Sequence, residues 1–234
     1  MKINKLIILS VMSLNLGLTS CINELEAETG SIEDTDTEVS PTDNYYDCGN
    51  EIVEPGEECD DNYGKCIQCH KPREIFVTSI LFTGSEIGLL SSDICSELRE
   101  SNGFKSEFVL KPWISYSYES VIESIYHSPG LYKNVNQIIA YNWEDLVDGS
   151  LNNTIDFDEN EISSADVGYY DVWTGTDFDG SLKANCNDWK SNSRSDKGVF
   201  GSNQHLDDHW TFEQGDSCSS SKHIYCIESE YLYK

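Results

Sequence analysis

The chain has 234 residues, 38% of them hydrophobic, and a formal net charge of −27 that comes from 42 acidic and 15 basic residues. This charge argues against nucleic acid or an anionic membrane surface as the partner, because both bind a cationic face. It fits a protein that works outside the cell or meets a basic partner. Nine cysteines are typical of an oxidising compartment, and their odd number predicts a different role for one of them.

The first 20 residues follow the pattern of a targeting segment. Lys2 and Lys5 precede an apolar run at residues 6–18, which is too short to span a bilayer stably. The run ends in Leu-Thr-Ser-Cys, which resembles the lipobox of bacterial lipoproteins. That resemblance implies cleavage before Cys21 and acylation of its sulfur and amino group, which would make Cys21 a long-lived membrane anchor. An ordinary secretory signal followed by a chance cysteine is the alternative.

Residues 21–47 contain many acidic residues, no Lys or Arg, and few large apolar groups before Tyr45. The segment cannot bury enough apolar surface to offset the entropy lost on ordering, so we predict a disordered acidic tether behind the anchor. Because position 22 is Ile and not Asp, the lipoprotein resemblance points to the outer membrane or the cell surface as the location of the anchored chain.

Residues 48–72 are rich in cysteine, glycine and proline, which predicts a mini-module that folds only when disulfides staple it. Its cysteines are Cys48, Cys59, Cys66 and Cys69. The Cys-Gly pair at its start and the later run EPGEECDDN resemble the small Cys-rich repeat of bacterial surface proteins first described in Myxococcus. The pairing of the four cysteines is left open.

Two other roles for these cysteines are possible. Cys66, Cys69 and His70 form the C-x-x-C-H pattern of c-type haem attachment, in which His70 would ligate the iron. Haem would deprive the other two cysteines of partners and would need an apolar pocket of helices that this segment does not offer. Zinc could bind the four cysteines, but oxidising surroundings favour disulfides.

Residues 71–73 are predicted to be a linker, and a larger domain then occupies residues 74–234. Strands are predicted at residues 75–78, 113–116, 138–141, 172–173 and 223–227. Two helices are predicted, one after the capping residues 91–93 and one at residues 120–127, each closed by glycine. The sequence of residues 143–146 leads into a loop, residues 152–166 and 191–204 read as irregular polar loops, and residues 177–180 supply a turn.

An ordered series of motifs in this domain resembles the endostatin-like domains, a branch of the C-type lectin-like fold, and above all the endostatin-like lipoproteins of spirochaetes. The series consists of Cys95 in the first helix, a Trp-Ile strand, W-E-D-L, V-W-T-G-T-x-x-x-G, C-x-x-W at residues 186–189, Cys218, and a terminal I-Y-C-I-E that contains Cys226. The resemblance implies an α+β, loop-rich, disulfide-stapled fold. It also implies nested disulfides, Cys95–Cys226 and Cys186–Cys218, whereas the residues by themselves leave the connectivity open.

The domain departs in two respects from the C-type lectins and endostatins that it resembles. The Glu-Pro-Asn or Gln-Pro-Asp run and the Trp-Asn-Asp run, with which sugar-binding C-type lectins coordinate Ca²⁺, do not occur. The Arg-rich surface with which vertebrate endostatins bind heparin is also missing. We therefore do not expect calcium-dependent glycan binding or binding of sulfated glycans.

Three polar clusters contain side chains that can bind an ion, and for each the sequence favours a role without metal. The run from Asp156 to Glu161 lacks the glycine and the final glutamate of an EF-hand, and it reads as a solvated acidic loop. Asp177 and Asp179 fit the turn that contains them. His205 and His209 would face one metal on a helix, but their surroundings are polar and no H-E-x-x-H pattern is present. We predict no metal, no cofactor and no enzymatic activity.

The predicted function is non-catalytic binding of an extracellular protein by loops at about residues 191–215. The resemblance implies host matrix proteins such as laminin or fibronectin, or complement regulators such as factor H. Asp207, Asp208, Trp210 and Phe212 are the predicted contact residues, as aromatic anchors with acidic neighbours that face a basic partner. Core packing is the alternative for Trp210. Two other functions are compatible with the sequence. The first is a structural protein of the cell envelope without a host ligand, and the second is a haem or metal carrier that uses Cys66, Cys69 and His70.

Overall fold

The computed structural model describes residues 48–60, 66–90, 93–166 and 168–232. The targeting segment, Cys21 and the acidic tether lie outside these residues. The described part is a mixed α+β structure with two sheets and short helices. None of its helices has the length and apolar character that crossing a membrane requires.

The larger sheet has five strands. They are β1 (Arg73–Val77), β2 (Phe108–Pro112), β3 (Tyr132–Asn134), β4 (Gln137–Ala140) and β8 (Tyr225–Tyr231), in the order β2-β8-β1-β3-β4. Strand β1 pairs in parallel with β3, and the other pairings are antiparallel. Ile75 faces Ile227 across the sheet, so the first strand of the domain lies directly against the last one.

The smaller sheet is antiparallel and contains β5 (Asp171–Trp173), β6 (Lys197–Ser202) and β7 (Gln214–Ser217), with β6 in the centre. The helices are α1 (Gly84–Ile87), α2 (Ile94–Ser101), α3 (Val121–Ser124) and α4 (Trp143–Leu146), and 3₁₀ turns occupy Ser164–Asp166 and Asp208–Trp210. Residues Cys186–Trp189 form one turn in which all four φ angles are positive, between 51° and 57°. This backbone region is unfavourable for residues other than glycine.

The core consists largely of two tryptophan-centred clusters. Trp113, Trp143 and Trp210 meet in the first, where the rings of Trp113 and Trp210 lie 5.0 Å apart. Trp173 and Trp189 meet in the second, beside the Cys186–Cys218 disulfide. All five tryptophans are at most 3% exposed. The aromatic residues of this chain are therefore mainly core, as buried rings contribute large apolar areas.

Among the described residues, eight cysteines form four disulfides. Cys95–Cys226 ties helix α2 to strand β8, and Cys186–Cys218 lies within the second core cluster, which is the pairing that the family resemblance implies. In the Cys-rich module, Cys48 pairs with Cys69 and Cys59 with Cys66. This nested pairing resolves the connectivity that the sequence left open.

Arg73, expected in a linker, is instead a fully buried residue of β1. Its guanidinium donates to both carboxylate oxygens of Glu58, at 2.5 and 3.1 Å, and to the carbonyl oxygen of Ser229. It also lies 3.7 Å above the centre of the Phe108 ring. Arg73 thus joins the module to the domain, because a buried guanidinium needs an anionic partner.

Several sequence-based predictions are confirmed, among them strand β1, strand β4 and helix α2, which begins after Asp93 and ends just before Gly103. The strand predicted at residues 113–116 is wrong, because strand β2 already ends at Pro112. The helix predicted at residues 120–127 is a single turn. Residues 143–146, read as the approach to a loop, form helix α4, whose first turn is capped by Asn142.

The loop predicted at residues 191–204 is also wrong, because strand β6 runs through it and is buried from Gly198 onward. The glycines of this strand mark close packing, which the sequence analysis mistook for a loop. A Cβ atom on Gly201 would lie 2.2 Å from the carbonyl oxygen of Trp210. Only glycine therefore allows the segment after the strand to approach this closely.

The acidic run from Asp156 to Glu161 is not a solvated loop. Asp156, Asp158 and Glu159 are 7%, 5% and 3% exposed, respectively. Asp158 accepts hydrogen bonds from the backbone N–H groups of Asn160 and Ile162, and Glu159 accepts from Ser79. Backbone donors thus help to satisfy Asp158 and Glu159, which the sequence does not reveal. Asp156 Oδ2 accepts from the Ser163 hydroxyl, while its Oδ1 has no hydrogen-bond partner among the described residues.

Candidate functional site

The predicted contact residues lie on one segment, residues 205–212, which we call the acidic turn. It follows strand β6 and contains the 3₁₀ turn Asp208–Trp210, for which Asp207 is the N-cap. Five of its eight residues are polar or charged; Trp210 and Thr211 are buried, and the other six are exposed or half-buried. The turn is therefore a surface feature with a buried anchor.

Trp210 is that anchor, and the prediction that it contacts a ligand is wrong for the folded chain. Its side chain is 0% exposed and packs against Trp113 and Tyr225. Its carbonyl oxygen accepts a hydrogen bond from the Tyr225 hydroxyl at 3.1 Å. An amphipathic surface segment needs one large apolar residue to hold it to the core, and Trp210 fills this role.

Hydrogen bonds from distant parts of the chain fix the backbone of the acidic turn. The Thr174 hydroxyl donates to the carbonyl oxygen of Thr211 at 2.6 Å, and the backbone N–H of Leu151 donates to the carbonyl oxygen of Leu206 at 2.6 Å. The Asp207 carboxylate accepts from the backbone N–H of His209 at 3.2 Å. The side chains on the outer face therefore stand on a preorganised backbone.

The outer face carries two aspartates and two histidines. His205 Nδ1 lies 3.5 Å and His209 Nδ1 lies 3.1 Å from the same oxygen, Asp207 Oδ1. His209 Nδ1 is also 3.1 Å from Asp208 Oδ1. Partial burial opposes ionisation of Asp207, but the backbone N–H of His209 and the two imidazoles outweigh it and lower the pKa of that carboxyl. Asp207 is thus held as an anion at neutral pH.

Exposed apolar side chains flank these charges. Leu206 is 46% exposed and Phe178 is 38% exposed. A Cβ atom on Gly149 would lie 3.5 Å from the Phe178 ring and 3.9 Å from Asp208 Cβ, so both residues lie next to this glycine. Sequence analysis missed Leu206 and Phe178, although the exposed apolar residue in the polar run Asp177–Asp179 was a usable signal.

Phe212, the remaining predicted contact residue, is half-buried. The ammonium group of Lys183 lies 4.6 Å from the centre of its ring and 2.5 Å from Asp177 Oδ2. A cation over an aromatic face is attracted by the ring quadrupole. Phe212 therefore offers only part of its ring to a partner, and Lys183 covers the rest.

The other candidate ion ligands have local partners. Asp177 accepts from Lys183 and from the backbone N–H of Phe178, while Asp179 accepts from the backbone N–H of Ser181. These bonds explain both residues by turn chemistry. Cys66 and Cys69, the residues of the haem hypothesis, are each held in a disulfide. Neither sulfur is available for a thioether link or for zinc.

A cleft of about 410 Å³ was not predicted by the sequence analysis. Tyr116 and Tyr118 form one wall, with stacked rings 5.2 Å apart, and Leu90, Val109 and Ile114 contribute apolar surface. Burial raises the pKa of Tyr116 to about 12, so its hydroxyl stays protonated. The alternation of tyrosine and serine at residues 115–118 was the signal that could have indicated it.

No protein-family model matches the chain, and no curated protein matches it either.

Proposed function

We propose that this chain is a non-catalytic bacterial surface lipoprotein that binds a basic extracellular protein through the acidic turn. In this proposal Cys21 carries the lipid anchor, the acidic segment after it serves as a tether, and an endostatin-like domain of C-type lectin-like fold presents the turn. The observation that carries the proposal is the pair of exposed carboxylates, Asp207 and Asp208, beside exposed Leu206 and Phe178 on a fixed backbone.

The arrangement of the domain supports the fold part of the proposal. Strands β1 and β8, near its two ends, pair in antiparallel fashion. The Cys95–Cys226 disulfide joins the first long helix to the last strand, and Cys186–Cys218 closes a second loop inside it. The endostatin-like resemblance implies this same nesting, and a scaffold closed in this way can present loops without support from regular structure.

The composition of the outer face supports binding of a protein. Apolar side chains beside charged groups are the usual make-up of a protein-binding surface, in which apolar contact supplies affinity and charge supplies orientation and rate. The net charge of −27 favours a basic partner, because the whole chain attracts it over long range. Basic segments of matrix proteins or complement regulators have the required chemistry.

The chemistry of the cysteines supports the non-catalytic part. Every cysteine within the described ranges is held in a disulfide, so no thiol in that part can act as a nucleophile. The Asp207 carboxylate accepts a hydrogen bond from the backbone N–H of His209 within the turn itself. With side chains 63% and 47% exposed, Asp207 and Asp208 display their charge to solvent, as a binding surface requires.

The test is binding of the complete oxidised chain to a panel of matrix proteins and complement regulators at several salt concentrations. We expect saturable binding that weakens as salt rises, because exposed charges more than about 10 Å apart are screened at 0.1 M salt. The double variant Asp207→Asn and Asp208→Asn should weaken binding by about tenfold or more, since each exposed charge contributes roughly 1 kcal/mol to a complementary contact.

A matched control separates the turn from the general charge of the chain. Glu97→Gln with Glu100→Gln removes two negative charges from exposed positions of helix α2 and should leave the affinity close to that of the unmodified chain. Equal weakening in both double variants would contradict a specific role of the acidic turn. Absence of binding above that of the reduced, unfolded chain would instead favour a structural role in the cell envelope.

A further inference from the structure

The outer face of the acidic turn also has the geometry of a metal site. His205, Asp207 and His209 each offer one ligand atom, and these three atoms lie within 4.8 Å of one another. Each imidazole nitrogen is 3.1 or 3.5 Å from the same carboxylate oxygen. Ligands about 2.0–2.2 Å from a zinc ion, at tetrahedral or octahedral angles, are separated by about 3.0–3.6 Å.

The three groups are of the kind that transition metals prefer. Imidazole nitrogen with carboxylate oxygen suits Zn²⁺, Ni²⁺ and Cu²⁺, whereas Ca²⁺ and Mg²⁺ prefer oxygen ligands alone. Asp208, whose Oδ1 lies 3.1 Å from His209 Nδ1, can supply a further oxygen. Two imidazoles beside two carboxylates therefore discriminate against the hard cations.

The backbone beneath the cluster limits how far these ligands can separate. Asp207 is oriented by its N-cap hydrogen bond to the backbone N–H of His209, and the next residue, Trp210, is fully buried. The carbonyl oxygen of Leu206, between two of the ligands, accepts from Leu151. Metal affinity rises when ligands are held in place before binding, since less side-chain entropy is lost.

We propose that the acidic turn binds a divalent transition-metal ion, with Zn²⁺ as the expected occupant, through His205, Asp207 and His209. The side chains of these residues are 33%, 63% and 46% exposed, so the site opens to solvent. Three protein ligands leave at least one coordination position for water or for a donor group of a partner, as in zinc sites with an open position. The metal site shares Asp207 with the proposed protein-binding surface, but the two proposals have separate tests, and either one can hold without the other.

The first experiment is calorimetric titration of the complete oxidised chain with ZnCl₂, and with CaCl₂ and MgCl₂ for comparison. We expect one equivalent of Zn²⁺ to bind with a Kd on the order of micromolar, and no comparable saturable binding of the other two cations. Thermal unfolding should shift upward in Zn²⁺, because an ion that binds only the folded chain stabilises it. Equal binding of Ca²⁺ and Zn²⁺ would overturn the proposal.

Variants locate the site. Asp207→Asn keeps an N-cap residue, because asparagine caps as well as aspartate does, and should weaken Zn²⁺ binding by about tenfold or more through loss of the anionic ligand. His205→Gln with His209→Gln should abolish the one-equivalent binding and the thermal shift. His127→Gln is the matched control, since His127 is an exposed histidine that stacks on Trp143, and it should bind Zn²⁺ as the unmodified chain does.

A spectroscopic readout distinguishes these ligands from others. Co²⁺ bound by two imidazoles and a carboxylate gives a visible absorption spectrum that Zn²⁺ displaces, and this spectrum should be present in the His127→Gln variant and lost in the double histidine variant. Retention of the spectrum and of the Zn²⁺ affinity in the double histidine variant would show that the ion binds elsewhere and would overturn the assignment.

Discussion

The Cys-rich module and the domain that follows it are each stabilised by a different kind of interaction. The described residues of the module, 48–60 and 66–70, include exposed Ile52, Val53 and Ile67, and its buried apolar members are Cys59 and Cys69. The domain has two tryptophan-centred clusters with many buried residues. A short segment that cannot bury a core depends on covalent links, whereas the domain uses disulfides to reinforce burial that already exists.

Removal of the Cys95–Cys226 disulfide should have the largest effect on the domain. The two cysteines are 131 residues apart, and closure of a loop of this length restricts the unfolded chain by about 5 kcal/mol in the chain-entropy treatment. The variant Cys95→Ala with Cys226→Ala should therefore lose most of its free energy of unfolding, measured by urea titration.

The Cys59–Cys66 disulfide of the module should have a smaller effect than Cys95–Cys226. Cys59 and Cys66 are only 7 residues apart, for which the same treatment predicts about 2.5 kcal/mol. Their replacement by alanine should open residues 48–60 to amide hydrogen exchange while the urea midpoint of the domain stays nearly unchanged. An equal loss of global stability in both double variants would show that the two regions unfold as one unit.

Trp210→Ala should lower the free energy of unfolding by about 3–5 kcal/mol, as expected for a large aromatic residue removed from a packed core. The reason is the contact of its fully buried ring with Trp113 and Tyr225. Trp210→Phe, which retains part of the ring, should lose less. If Trp210→Ala kept the stability of the unmodified chain in urea titration and lost only ligand binding, the anchor role would be refuted.

The contact between the two regions can be tested at Arg73. Arg73→Met removes a fully buried cation and leaves Glu58, whose side chain is 11% exposed, without this partner. The change should lower the free energy of unfolding by about 3 kcal/mol. The double variant Arg73→Met with Glu58→Leu should recover much of this loss, because no unpaired charge remains. A double-mutant cycle in urea measures the coupling, and additive losses would contradict it.

A smaller effect is expected from pH at His223. Burial lowers the pKa of its imidazole, against the hydrogen bond to the Thr78 carbonyl oxygen and the nearby charges of Glu159, Asp171 and Asp158, which raise it. The unfolded chain therefore binds a proton on His223 more readily than the folded chain does. Above about pH 6.5, the usual pKa of histidine, this group does not affect stability. As the pH falls from there toward the lowered folded pKa, stability is lost.

The His223→Gln variant isolates this contribution. Its free energy of unfolding, measured by urea titration at a series of pH values, should fall less between neutral pH and mildly acidic pH than that of the unmodified chain. Parallel curves for the two proteins would show that His223 has the same pKa in the folded and unfolded states.

Local patterns in the sequence determined much of the element list. Helix α2 was predicted with its cap and its terminal glycine, and strands β1 and β4 were predicted from apolar runs. The Cys-rich module was recognised by composition. These predictions succeed because caps, turns and periodicity depend on residues within a few positions of each other. Strand β6 was missed because its glycines serve contacts with Trp210 and Cys186 that no local pattern reveals.

For the acidic turn, the sequence by itself indicated the segment and the aspartates of the proposed binding surface, and it predicted an oxidised chain of α+β class. Only the tertiary structure decided that Trp210 points into the core, that Leu206 and Phe178 lie at the surface, and that both histidines meet Asp207. It also decided that the acidic run at Asp156 is buried. The physical reason is that burial and convergence depend on contacts between residues far apart in the chain, such as Leu151 with Leu206 and Thr174 with Thr211.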